Sequence, residues 1–150
     1  MSSLPPAPKP HLKPTIYTAP VIIGKGRGKF LGYPTFNLEI PHTFPIKQGI
    51  YACRLALHSS ANPQNSPTTD PHFIGALHFG PTPTFNDSTP SLEIFVLDYD
   101  SDAPIHTISF GHLHYLRQIK QFNSESTLTA QITQDVINTR RHFRQDNSNS

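Results

Sequence analysis

A chain of 150 residues has room for one domain, burying roughly two thirds of its unfolded surface, and a 35% hydrophobic share with 16 prolines favours short strands over long helices. A net charge of +2 is too small to argue for a nucleic-acid or membrane surface, although nine histidines raise it below neutral pH. The single cysteine, Cys53, excludes an internal disulfide, no apolar run spans a bilayer and no signal-peptide core opens the chain, so the cytoplasm is the expected location.

Residues 1–15 form a leader rich in proline (Pro5, Pro6, Pro8, Pro10, Pro14), expected to be extended and without a core to join. A first strand is predicted over residues 17–23. It runs into Gly24-Lys25-Gly26-Arg27-Gly28-Lys29, which alternates glycines with cations. Glycines let the backbone come close to a bulky ligand, successive N–H groups make a nest for an anion, and the cations deepen it. A Rossmann fingerprint is excluded because Lys29 stands where its third glycine would fall, and a Walker A loop because no Gly-Lys-[Ser/Thr] follows. Next comes Leu31-Gly32-Tyr33-Pro34-Thr35-Phe36-Asn37-Leu38. In an extended segment the Thr35 hydroxyl and the Asn37 amide point the same way. Two neutral oxygen donors on one face suit a hard cation such as Mg²⁺ that shares phosphate oxygens. By spacing alone, local turn bonding after Pro34 is the stronger reading of Thr35 and Asn37. A phosphate cradle beside a magnesium seat is the chemistry of nucleotide-dependent phosphoryl transfer.

Strands are predicted over residues 49–57, 72–79, 92–99 and 105–110, rich in β-branched and aromatic residues and bounded by turn formers. In the first of them Tyr51, Cys53, Leu55 and Leu57 alternate with Ala52, Arg54 and Ala56, one apolar face at period two. Residues 59–71 read as a polar loop. The segment 92–99 is apolar on both faces and is placed centrally, with Glu93 between Leu92 and Ile94 on the face of Phe95 and Leu97. A carboxylate among such neighbours is costly unless paired. It is either a salt-bridge partner of Arg117 or Arg54, or a general base. His106, His112 and His114 have no ligand spacing, and Asp98, Asp100 and Asp102 lack the glycine and glutamate of a calcium loop, so both groups read as surface features. A helix is predicted over residues 124–143, because Leu128, Ile132 and Val136 recur every four residues and Asn123 or Ser124 can cap it. Residues 144–150 make a polar tail. Several strands followed by a late helix imply a small β-barrel with a helix packed on it.

Gly24-x-Gly26-Arg27-Gly28 followed by Leu31-Gly32-Tyr33-Pro34-Thr35-x-Asn37-Leu38 resembles the signature of the riboflavin kinases, or flavokinases. Gly49-Ile50-Tyr51-Ala52, Gly80-Pro81-Thr82-Pro83-Thr84-Phe85, Leu92-Glu93-Ile94 and Leu116-Arg117 with Phe122-x-Ser124 follow in that family's order, so the resemblance spans residues 17–141. It implies a mainly β domain over residues 16–143, a six-stranded antiparallel, Greek-key-like barrel with a C-terminal helix. The implied reaction is transfer of the γ-phosphate of ATP to the terminal ribityl hydroxyl of riboflavin, giving FMN and ADP, with Mg²⁺ as cofactor. The resemblance assigns nucleotide binding to Gly24, Gly26, Arg27, Gly28, Lys29, Pro34, Thr35 and Asn37, and metal contact to Thr35 and Asn37. It makes Glu93 the catalytic base and sets Arg117, Lys120 and Phe122, with Thr127 and Ala130 behind them, beside the flavin or the product phosphate.

This chain departs from the family at two places. Phe36 fills a position often held by a smaller residue, and Pro104-Ile105 stands where an aromatic–Gly pair usually lies beside the nucleotide. Bacterial members are often fused to an FAD-forming adenylyltransferase. These 150 residues hold no such second domain, so FMN rather than FAD is the expected product. The implied partners are riboflavin and ATP, with no nucleic acid or membrane, and the expected state is a monomer. Two other functions compete. A catalytically silent flavin- or nucleotide-binding barrel predicts binding without turnover. A nucleic-acid barrel would use Lys25, Arg27 and Lys29 with Phe30 and Tyr33 for stacking, against the small net charge.

Overall fold

The computed structural model describes residues 14–22, 29–30, 32–59, 72–82, 87–101 and 103–148. Seven strands precede one helix: β1 (Ile16–Pro20), β2 (Lys29–Phe30), β3 (Tyr33–Leu38), β4 (Gly49–His58), β5 (Phe73–Thr82), β6 (Asp87–Val96), β7 (Thr107–Arg117) and α1 (Glu125–Ser148). They form one antiparallel sheet in the order β1-β7-β4-β5-β6-β3-β2. Within it β4, β5 and β6 follow one another and β7 returns beside β4, the Greek-key order. The sheet curls until its ends meet. Val21, just past β1, bridges Leu38 at the end of β3. Ile22 N–H donates to the Asn37 carbonyl at 2.8 Å and Glu39 N–H to the Pro20 carbonyl at 3.0 Å. Six strands therefore make a curled barrel joined at this end, and two-residue β2 is an appendage of β3.

Period-two alternation decides which side chains fill the interior. Tyr51, Cys53 and Leu55 of β4 point inward with Leu92, Ile94 and Val96 of β6 and with Ile108 and Phe110 of β7. Each such large side chain stabilises the fold by about 1.5–3 kcal/mol on burial. Burial also pushes the Cys53 thiol up to about 12, because a thiolate cannot be solvated there. Cys53 should accordingly react with Ellman's reagent at least about 10-fold more slowly in the native protein than in 6 M guanidinium. Equal rates would show that β4 opens readily.

The strands differ from the sequence expectation where local rules compete. Residues 33–38, read for their donors rather than as an element, are β3, paired to β6 from Thr35 to Leu38. Pro34 is tolerated because its neighbour on that side is only the short β2. β7 continues well past residue 110. His112 takes φ 52°, and the β4–β7 register slips between Ala52 and Arg54, so a bulge carries the strand on and reverses the alternation that marked its end. Ile105 of the Pro104-Ile105 departure packs against the core, while Pro104 is exposed.

Ser124 caps α1: its Oγ accepts the Thr127 N–H at 3.2 Å. The helix runs to Ser148 instead of stopping at 143, since Arg144 and Gln145 are good helix formers and need no core contact to continue it. Ile132, Val136 and Phe143 are buried where α1 lies over the outer faces of β4 and β5. His142 stacks on His114 of β7 at 3.9 Å, and the Arg54 guanidinium sits 4.6 Å over the Phe143 ring. Among the described residues no helix is long and apolar enough to cross a membrane.

Candidate active site

Phe36 and Leu38 face the core, so alternation along β3 turns Thr35 and Asn37 to the outer face. Register then fixes their neighbours. Asn37 lies opposite Glu93, Glu93 opposite His78, His78 opposite Ile50, and Ile50 opposite Arg117. One lateral row across β3, β6, β5, β4 and β7 thus carries an amide, a carboxylate, an imidazole and a guanidinium. Directly opposed side chains in such a ladder have Cβ atoms about 4.5–5.5 Å apart. Thr35, Asn37 and Glu93 are nearly buried, at 8%, 8% and 7% exposure.

Four buried side-chain atoms lack a hydrogen-bond partner among the described residues: Asn37 Oδ1, His58 Nδ1, His78 Nδ1 and Thr139 Oγ1. Two of the four flank Glu93 in this row. Leaving a buried acceptor unsatisfied costs about 1–3 kcal/mol, so two of them on either side of one carboxylate mark a place completed by something else. The Thr35 hydroxyl donates to the Tyr33 carbonyl at 3.3 Å, which leaves its oxygen lone pairs on the same face as Asn37 Oδ1. Two neutral oxygens, one of them orphaned, fit a hard divalent cation. Beside them a cleft of about 170 Å³ opens between Ile22, Glu39, Pro90 and Ser91, where the chain leaves β1 toward the alternating glycines.

His78 is held in a defined state. Its Nε2–H donates to the Pro81 carbonyl at 3.1 Å, which leaves Nδ1 as a bare acceptor. Gly80, at φ 137°, stands where the β5–β6 register shifts just before Pro81, and a Cβ there would collide with the Ile119 side chain. Burial pushes the imidazole below the ordinary histidine range, and Arg117 adds to that; Glu93, the Pro81 carbonyl and the residue's own backbone pull the other way.

At the far end, Arg117 Nε and Nη2 both reach the Asp135 carboxylate of α1 at 2.8 Å, and Nη1 donates to the Gln118 carbonyl at 3.0 Å. Gln131 donates to the same carboxylate at 3.1 Å. The guanidinium lies 5.9 Å from the Phe122 ring centroid.

A model of the Flavokinase family, described as riboflavin kinase, matches residues 12–143. The chain belongs to the flavokinase family. It is 27% identical over 123 residues to an RNA-binding riboflavin kinase of Bacillus subtilis, RibR, covering 81% of this chain and 48% of that protein. It is 26% identical over 125 residues to a bifunctional riboflavin kinase/FMN adenylyltransferase of Listeria monocytogenes, covering 82% and 36%. The chain therefore spans less than half the length of these curated relatives. A solved structure titled a macrolide-efflux protein from Streptococcus pneumoniae shares the fold, with a TM-score of 0.64 at 24% identity over 85% of this chain and 38% of that one.

In this flavokinase Thr35, Asn37 and Glu93 come together, and Arg117 joins their row. Arg117 pairs with Asp135, and the Arg54 guanidinium lies over the Phe143 ring. Lys120 is exposed on the approach to α1. The Thr127 hydroxyl donates to the Ser124 carbonyl at 2.9 Å and so belongs to the helix cap, and Ala130 is exposed one turn on. Pro34 is half-buried against β2, where Lys29 is its partner. Gly24, Gly26, Arg27 and Gly28 lie outside the described residues. The sequence reading missed His78 and Asp135. Each left a signal: His78 is the one titratable residue in the apolar stretch Ile74–Phe79, and Asp135 shares a helical stripe with Ile132, Val136 and Thr139.

Proposed function

We propose that this chain is a riboflavin kinase, transferring the γ-phosphate of ATP to the terminal ribityl hydroxyl of riboflavin to give FMN and ADP. The observation that carries this reading is the Asn37–Glu93–His78 row, a buried carboxylate set between two buried unsatisfied acceptor atoms, in a chain of the flavokinase family. Thr35 and Asn37 would hold Mg²⁺, which when bound supplies charge neutralisation on the nucleotide phosphates. The glycines and cations of residues 24–29 cradle those phosphates. Glu93 takes the proton of the ribityl hydroxyl as its oxygen bonds to the γ-phosphorus and the bond to the ADP oxygen breaks. Such a base contributes about 10²–10⁴-fold, and alignment of the two substrates along the row supplies much of the rest. α1, fixed over β4 and β5, walls the flavin side. The cytoplasm and a monomeric state suit such an enzyme.

The test is chromatography of riboflavin incubated with Mg-ATP. FMN should accumulate without FAD, and EDTA should abolish it. Binding of riboflavin with no FMN would overturn the kinase reading in favour of a silent barrel, and FAD would overturn the assigned product.

A further inference from the structure

We propose that His78 Nδ1 accepts a hydrogen bond from a secondary hydroxyl of the ribityl chain and so sets the direction in which the acceptor substrate lies along the row. The inference rests on the kinase reading above and adds a contact to it. Its basis is geometric. The bond from Nε2 to the Pro81 carbonyl leaves Nδ1 with a lone pair and no hydrogen, and that lone pair is buried without a partner. On one side along the row stands Glu93, also an acceptor; on the other are Ile50 and then Arg117, whose guanidinium is paired with Asp135. A phosphate oxygen has no proton to give Nδ1 and would meet the Glu93 carboxylate as well. A neutral hydroxyl satisfies Nδ1 and is not repelled.

The row therefore has two ends of different chemistry. Asn37 and Thr35 offer neutral oxygens that take a cation and, through it, phosphates. His78 takes a donor-rich polyol. Glu93 stands between, where the polyol's last hydroxyl meets the nucleotide. Burial favours the neutral imidazole and keeps the lone pair available at neutral pH.

Dissociation constants from quenching of flavin fluorescence test this without requiring turnover. The probes are riboflavin and its 2′-, 3′- and 4′-deoxy analogues. In the wild-type protein one analogue should bind about 10-fold more weakly than riboflavin, as expected for one lost bond to a buried acceptor. His78→Leu should weaken riboflavin about 10-fold and bind that analogue and riboflavin alike, with KM for ATP within about twofold. His78→Asn, whose Oδ1 can stand where Nδ1 stood, should recover affinity to within about threefold. Equal binding of all three analogues by the wild-type protein overturns the proposal whether or not the variants fold, and so does an analogue penalty unchanged in His78→Leu. If the penalty vanishes in His78→Leu but the wild-type protein makes no FMN, the kinase reading fails while the contact stands. A wild-type protein that binds no riboflavin ends both.

Discussion

Replacing Glu93 by glutamine should lower the turnover of riboflavin to FMN by at least about 10²-fold, with riboflavin affinity changed by no more than about threefold. The substitution preserves the volume and a carbonyl oxygen at a site with 7% exposure, opposite Asn37 and His78, so the row should keep its packing. What it removes is the ability to take a proton. A loss confined to kcat is the mark of an interaction made only as the hydroxyl attacks, whereas a contact made equally with bound riboflavin would appear in KM. Initial rates of FMN formation measure the effect, and an unchanged melting temperature shows that the fold is intact. A variant that turns over at the wild-type rate would remove Glu93 from the chemistry and leave it a structural carboxylate of the outer barrel face.

Much of this arrangement is legible in the amino-acid sequence alone. Strands β1, β4, β5 and β6 follow from β-branched and aromatic runs between turn formers, with period-two alternation in β4, and α1 from its four-residue apolar stripe with Ser124 as cap. The part that stayed hidden is what alternation does not encode. β3 and β6 meet only through the barrel's connections, so nothing local in Thr35-Phe36-Asn37 or Leu92-Glu93-Ile94 says that Asn37 and Glu93 are opposed; family resemblance, not pattern, linked them. The bulge at His112 disguised the second half of β7, and with it the register that brings Arg117 level with Ile50 and His78. Arg117 looked free for a ligand because its partner sits on the helix. A charged residue inside an apolar stripe is the one sequence clue to such a pairing, and Asp135 beside Val136 is that clue. His78 was invisible for a related reason: its importance comes from a tautomer set by the Pro81 carbonyl, a feature of the register shift at Gly80 rather than of residue type.

Asp135→Ala should destabilise the protein by about 3–5 kcal/mol, the cost of leaving one partner of a buried ion pair uncompensated. The side chains of Arg117 and Asp135 are only 15% and 5% exposed, and their two-pronged contact at 2.8 Å is the polar tie between β7 and α1 at this end of the row. In a chain of this size the loss corresponds to a fall in melting temperature of roughly 10 °C or more, readable by circular dichroism. The double variant Arg117→Met with Asp135→Leu should regain most of it, because apolar side chains of similar volume carry no desolvation penalty. Activity then separates two uses of the pair. If the stable double variant binds riboflavin as well as the wild type, the pair serves only to seat α1. If it folds but binds riboflavin about 10-fold more weakly, the guanidinium also shapes the flavin side of the site. A single variant that melts with the wild type would mean that the apolar contacts of Ile132, Val136 and Phe143 hold the helix without it.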